Sequence, residues 1–292
     1  MPALLLVSPH SLAGKTTIAV GLAQKLRAAG HSVSFARLPG DDNAEHDGQV
    51  FEALGRSPQS SQEAAVSVIE APSGDPGPPL EANRSARAIV IGLGRRSETD
   101  LVDYCRGIGD RLAGVVLNKT PAKCGAPGKA ALDAAGVKVH AVVTEDRLLA
   151  APVLHDVATA LSASVEYLND GGFQPLDRPL IATISADPGQ GYFAGYGAKA
   201  VIVRSDKPDL QLAALNAGAT CLVVTGGLPL LSYVIERAEE DEIPLVRTSM
   251  DTISTVNSIE GLFGTLPFAA NEAKIRRAAE LLADIDTQSL LV

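Results

Sequence analysis

The sequence predicts an α/β protein of two units: a mostly parallel sheet carrying helices on both faces, then a second, smaller α/β unit. Three observations predict it. Near the N-terminus an apolar strand runs through a small-residue loop into a helix, Val7-Ser-Pro-His-Ser-Leu-Ala-Gly-Lys-Thr-Thr-Ile-Ala19. Short apolar runs then alternate with segments of helical spacing, the sign of parallel strands joined by crossover helices. Finally, the polar, glycine-rich Asn169-Asp-Gly-Gly-Phe-Gln-Pro175 interrupts the pattern, which then begins again. A chain of 292 residues exceeds the commonest domain size, which suits domains at 1–168 and 175–292 with a linker at 169–174.

The first loop reads as a phosphate cradle. The backbone N–H groups from Ser11 through Leu12, Ala13, Gly14 and Lys15 to Thr16, with Thr17 behind them, would converge on phosphate oxygens at a helix N-terminus, where the dipole favours an anion. Lys15 would reach the β- and γ-phosphates of a nucleotide, and the Thr16 hydroxyl would ligate Mg²⁺. The spacing departs from Gly-x4-Gly-Lys-Ser/Thr, because Pro9 stands five positions before Gly14 and brings no N–H. The alternative is that Gly14-Lys15-Thr16 merely opens a helix.

Ile18, Leu22 and Leu26 keep helical spacing until Ala28-Ala-Gly30, and Ser32 to Ala36 alternates as a strand, completing one βαβ unit. Arg37-Leu-Pro-Gly40 and the acidic stretch from Asp41 to Asp47 follow at that strand's carboxyl end, the side on which open α/β sheets bind ligands. Val50 to Leu54 reads as helical. The apolar run Ala65-Val-Ser-Val-Ile-Glu70 ends in a carboxylate, and Glu70 is the candidate metal-side group, holding Mg²⁺ directly or through water. A solvated strand end is the other reading of Glu70. The proline- and glycine-rich tract at 72–79 reads as a mobile loop. Strands are expected at Ala88–Leu93, Ala113–Leu117 and Val137–Val143, and a helix over Val153–Leu168. Asn118-Lys119, after the fifth strand, stands where a nucleotide base would be contacted, unless loop chemistry alone accounts for it.

In the second unit, strands are expected at Leu180–Thr183, Ala200–Val203, Cys221–Val224 and Leu245–Thr248, with helices at Pro208–Asn216, Leu230–Glu240, Thr255–Gly261 and Asn271–Ile285. Thr225-Gly226-Gly227 follows a strand, so its glycines could bring N–H groups to a ligand or simply make a tight turn.

Composition narrows the function classes. A net charge of −9 and a pI near 5.1 argue against a nucleic-acid surface or an anionic membrane, both of which need clustered Lys and Arg. Cys105, Cys124 and Cys221 lie far apart with no metal-ligand spacing, as reduced thiols of a cytoplasmic protein would. The apolar run Ala3–Val7 is too short for a signal peptide or a membrane span, so no targeting segment is expected.

Residues 1 to about 165 resemble the dethiobiotin synthetase and cobyrinic acid a,c-diamide synthase family, on the loop Ser8–Thr17, the strand end Ile69-Glu70 and Gly114-Val-Val-Leu-Asn118. The whole chain resembles the N-terminal part of the long bacterial phosphotransacetylases, where such a domain precedes a DRTGG domain. Glu145-Asp-Arg-Leu-Leu-Ala-Ala-Pro152 is similar to the end of the first domain, and Asp206-Lys207 with Thr225-Gly-Gly227 to the motif pair that names the second. Ala238-Glu-Glu240, Ile243-Pro244 and Asp251-Thr-Ile-Ser-Thr255 extend the likeness.

The resemblance implies a P-loop NTPase-type sheet that binds ATP and Mg²⁺, and a DRTGG-like regulatory or dimerisation domain whose ligand candidates are Asp206, Lys207, Thr225, Gly226 and Gly227. It does not carry acetyltransferase activity, because the sequence stops at Val292, where the catalytic domain would begin. The synthetases' loop glycine and acidic loop residues are replaced by Ser8, Pro9, Ser11 and Leu12, and their substrate lysine corresponds at best to Arg37, which stays protonated. His10 stands where partition-type ATPases carry a second lysine, which weakens a nucleotide-sandwich dimer.

Three functions follow. The first is a nucleotide-binding regulatory protein, cytoplasmic and homodimeric. The second is an ATP-dependent carboxylate-activating enzyme, for which only Glu70 and Asp47 offer a base. The third is a scaffold whose altered loop no longer binds nucleotide.

Overall fold

Val, Ile, Leu and Ala dominate six short runs, and each becomes a strand of one sheet: β1 Ala3–Val7, β2 Val33–Arg37, β3 Val66–Glu70, β4 Ala86–Leu93, β5 Leu112–Thr120 and β6 Val139–Thr144. The computed structural model describes residues 2–55, 66–94, 99–123, 125–182, 193, 195 and 200–291. The strand order is β2-β3-β1-β4-β5-β6 with every neighbouring pair parallel. A parallel sheet is covered on both faces, so its strands are apolar throughout rather than alternating. Leu4, Leu5, Leu6 and Val7 are accordingly all buried.

On one face Leu5, Val7, Val90, Val115 and Leu117 share a core with Leu101, Val102 and Cys105 of the helix Thr99–Ile108 and Leu132 of the helix Pro127–Ala134. Alternation sends Leu4 and Leu6 to the opposite face. The helix Lys15–Ala28 packs on β1 and β3, and the helix Glu272–Leu281 packs along Lys15–Ala28. Gly21 makes that helix crossing close: a Cβ there would lie 2.5 Å from the Ala278 carbonyl oxygen.

The strand order decides where a ligand can sit. From β1 the chain crosses to β2 on one side, and from β3 it crosses to β4 on the other. The carboxyl ends of the neighbours β1 and β3 therefore flank a topological switch point, the crevice in which open α/β sheets bind ligands. Register brings Leu6 and Arg37 opposite Glu70, and Leu93 opposite Asn118, at this same edge.

The second unit holds β7 Ser164–Tyr167, β8 Pro179–Ile181, β9 Ala200–Arg204, β10 Cys221–Thr225 and β11 Leu245–Arg247 in the order β7-β11-β10-β9-β8. Only β7 runs antiparallel among these described strands. Val201, Val203, Leu222 and Val224 pack one face against Leu210, Leu215 and Val234, while Ile202, Cys221 and Val223 pack the other against Leu154, Val157 and Ile259.

Three expectations are corrected. The helix expected over Val153–Leu168 ends at Ala160; Ser162 takes a left-handed φ of 45°, and Ser164-Val-Glu-Tyr167 pairs with β11 as an edge strand. The tract at 72–79 is anchored: Gly74 N donates to Ser8 O at 2.9 Å, Tyr104 Oη donates to Gly74 O at 2.8 Å, and Gly77–Ala82 is helical. Pro78 and Pro79 fit that helix because its first turn needs no N–H from them. The domain bounds also differ, because the compact units are Met1–Leu149 with Glu272–Val292, and Ala150–Asn271. An amphipathic C-terminal pattern announces a buried face for Glu272–Leu281, and that face is satisfied by Lys15–Ala28 of the first unit. Among the described residues no helix is long and apolar enough to cross a membrane.

Candidate functional site

The loop from Ser8 to Gly14 links β1 to the helix Lys15–Ala28. Its turn needs two left-handed residues, Leu12 at φ 54° and Gly14 at φ 84°. At Gly14 the requirement is also steric, because a Cβ would fall against the Asn118 side-chain amide. That amide donates to Ala13 O at 2.8 Å. Asn118 thus clamps the loop from β5; the base-contacting position expected for it is buried and engaged with the loop backbone. Among the described residues the backbone amides from Ser11 to Thr17 have no hydrogen-bond acceptor. A helix N-terminus leaves its first turn of amides open in any protein. Here the open run begins further upstream, in the loop itself.

Lys15 and Thr16 point back into the crevice and are buried, Lys15 being 5% exposed. Lys15 Nζ donates to Ser73 Oγ at 2.7 Å, and Thr16 Oγ1 donates to Glu70 Oε1 at 3.3 Å. Burial lowers the Lys15 pKa, opposed by the charges of Glu70 and Asp41. Burial and the neighbouring Asp47 push the Glu70 carboxyl up to about 7 against the pull of Lys15 and Arg37. Its second oxygen, Oε2, is buried without a hydrogen-bond partner. An unsatisfied buried carboxylate oxygen costs about 1–3 kcal/mol. It is also what a cation would satisfy.

Arg37 does not extend toward a substrate. Its buried guanidinium contacts Asp41 Oδ1 and Leu38 O, approaches Asp47 Oδ2 at 3.4 Å and lies 3.7 Å from Glu70 Oε1. The two carboxylates considered as bases, Glu70 and Asp47, therefore both lie against the Arg37 guanidinium. Ser73 was not anticipated from the sequence. Its position straight after the strand-end Glu70-Ala-Pro, at the carboxyl edge, was the available signal.

No group of three or more His, Cys, Asp or Glu among the described residues is placed to hold a metal by itself. Mg²⁺ keeps several waters and takes one or two protein oxygens beside substrate phosphates. Thr16 Oγ1 and the unsatisfied Glu70 Oε2 fit that smaller role. Cys105 and Cys221 are buried, and Cys124 lies outside the described residues.

In the second unit the glycine pair is engaged internally. Gly226 N donates to Met250 O at 2.9 Å and Gly227 N to Thr248 O at 3.1 Å. Their φ values of 91° and 73° require glycine, and a Cβ on Gly227 would lie 3.2 Å from Ser249 Cα. Buried Thr225 meets Thr252 Oγ1 at 3.0 Å. Asp206 is held by Arg204 at 2.6 Å, and exposed Lys207 precedes the helix Pro208–Asn216. The expected delivery of these glycine amides to a ligand is thus replaced by a stitch from β10 to the segment after β11, while Asp206 and Lys207 stand on the surface.

The molecule is thus a mixed α/β protein with a six-stranded parallel sheet and a second, five-stranded sheet. Residues 156–262 match the DRTGG domain model, and a DRTGG domain accordingly occupies that segment. Among solved structures, the chain is similar to the CBS and DRTGG domains of the regulatory region of Clostridium perfringens pyrophosphatase, complexed with its activator diadenosine tetraphosphate. That match has 20% identity over 41% of this chain and 52% of the other, with a TM-score of 0.35. The chain therefore spans about half of that structure's length. It is also similar to a nucleotide-binding protein in complex with ADP from Archaeoglobus fulgidus, at 14% identity over 49% of this chain and 80% of that one, with a TM-score of 0.34.

Proposed function

We propose that the first unit is of P-loop NTPase type and binds a nucleoside triphosphate, ATP first, with Mg²⁺ at the crevice between the ends of β1 and β3. We further propose that the protein is a cytoplasmic, homodimeric regulator related to the non-catalytic N-terminal half of the phosphotransacetylases. The run of unengaged amides from Ser11 to Thr17 around buried Lys15 and Thr16 is the observation that supports this reading most. In it, those amides hold the phosphates, Lys15 bridges the β- and γ-phosphates, and Thr16 with Glu70 holds the cation. Bound Mg²⁺ would neutralise charge on the phosphate oxygens. Exposed Lys207, beside the surface pair of Asp206 with Arg204, is the part of the DRTGG motif left available to a second ligand.

Regulation is favoured over carboxylate activation because Arg37 engages Asp41 and Asp47 in the space where a second substrate and its base would be needed. Thermal melting with MgATP, MgADP and MgGTP tests the reading. A ligand at a hundred times its Kd stabilises by about 2.7 kcal/mol, and Lys15→Ala should abolish the shift. No shift at millimolar nucleotide would overturn binding and leave the scaffold. Phosphate release that depends on an added carboxylate would restore the enzyme alternative.

A further inference from the structure

We propose that Ser73 is a phosphoryl acceptor: the nucleotide held at the first loop transfers its γ-phosphoryl group to the Ser73 hydroxyl of the same chain. The inference rests on the nucleotide reading above and deepens it by naming the group that receives the phosphoryl.

The geometry that points to it is the 2.7 Å contact between Ser73 Oγ and Lys15 Nζ. The amine assigned to the terminal phosphate already holds the serine hydroxyl. A phosphate oxygen bonded to that amine would sit about 3 Å from Lys15 Nζ, so one donor would hold both the serine hydroxyl and the terminal phosphate and bring the two reactants to the same place. Ser73 approaches from the loop after β3, whereas the amides that would hold the leaving diphosphate belong to the loop after β1. Nucleophile and leaving group are thus supplied by two different loops of the crevice.

The serine is also fixed rather than dangling. Its backbone N donates to Asp41 Oδ2 at 3.4 Å, and the next residue is tied through Gly74 N to Ser8 O and through Gly74 O to the Tyr104 hydroxyl. Asp41 is itself held by Arg37. The Thr16 hydroxyl, by contrast, is turned to Glu70.

In the step, a bond forms between Ser73 Oγ and the γ-phosphorus, and the bond from that phosphorus to the bridging oxygen breaks. The nucleoside diphosphate leaves with the electron pair, and the hydroxyl proton is released to water as the bond to phosphorus forms. The products are phosphoserine and nucleoside diphosphate. The new phosphate then lies against Lys15, where the next γ-phosphate would have to sit. Transfer therefore stops at one phosphoryl group per chain.

The test is peptide mapping by mass spectrometry after incubating the full chain with MgATP, alongside melting of the same unsubstituted chain with MgADP. The expected result is one phosphoryl group on the peptide containing Ser73, approaching one per chain with equimolar ADP and no further turnover. Ser73→Thr should retain transfer and Ser73→Ala should lose it. Stabilisation by MgADP with Ser73 unmodified after prolonged incubation would overturn this inference alone. Absence of stabilisation by any nucleotide would overturn the preceding reading and this one with it. Should Ser73→Ala fail to fold, localisation of the phosphoryl group in the unsubstituted chain still decides the matter.

Discussion

Each unit of this protein places glycine in a turn that follows a parallel strand, and the two turns do opposite things. After β1, the amides from Ser11 to Thr17 have no acceptor among the described residues. After β10, Gly226 and Gly227 donate to Met250 and Thr248 carbonyls. Both turns need left-handed φ, and a Cβ would clash with the Asn118 amide nitrogen at Gly14 but lie a merely tight 3.2 Å from Ser249 Cα at Gly227. Glycine therefore shows only where the backbone bends tightly. Whether a turn can receive an anion depends on where its N–H groups go, since a hydrogen-bonded amide has its donor already engaged.

The comparison can be broken by substitution. Gly14→Ala should have the largest effect, because it combines left-handed strain with displacement of Asn118 from Ala13. A loss of about 3 kcal/mol in urea melts is expected, together with loss of the nucleotide-dependent shift. Gly227→Ala should cost about 1–2 kcal/mol and leave that shift whole. Gly227→Ala abolishing the shift, or Gly14→Ala preserving it, would reverse the roles given to the two turns.

Glu70→Gln sharpens the first side of the comparison. The Glu70 pKa in the folded chain, about 7, lies above its ordinary value of 4.5. The folded state therefore binds more protons than the unfolded state between those values, and stability falls as pH rises through that window. Without nucleotide or Mg²⁺, Glu70→Gln should gain on the parent by about 2 kcal/mol between pH 5 and pH 8. A parallel pH dependence for the two proteins would show that Glu70 carries no such penalty. Asn118→Ala should lose about 1–2 kcal/mol by leaving the Ala13 carbonyl without its donor, and its melting shift with MgATP should shrink. Arg204→Ala, which breaks only an exposed pair with Asp206, should change stability by less than about 1 kcal/mol.

Much of this was legible in the residues. The strands of both units fall within a few positions of their expected runs, because a buried parallel strand is a short unbroken apolar segment and few other structures are. The helix Pro208–Asn216 appears where proline followed by helical spacing places it. Lys15, Thr16 and Glu70 were nominated from position alone, and the structure brings all three to one crevice. The missed features share a cause. The Val153–Leu168 pattern concealed the edge strand Ser164–Tyr167, because four residues carry too few repeats to separate periods of 2 and 3.6. The engagement of Gly226 and Gly227 depends on carbonyls of residues 248 and 250, supplied by another segment. Arg37 gave no sign of its partners either, since Asp41, Asp47 and Glu70 converge on it only once the sheet has formed.

The close crossing at Gly21 bears on how the molecule is made. Residues 1–149 leave the ribosome long before Glu272–Leu281, yet the helix Lys15–Ala28 is covered by that late segment. Vectorial synthesis favours folding from the N-terminus, but here the nascent loop-bearing unit must wait with one flank bare while the inserted DRTGG-containing unit is synthesised. Coverage of the helix Lys15–Ala28 is thereby timed to the final stage of translation, and a truncated chain ending before Glu272 would expose that flank to chaperones and proteases.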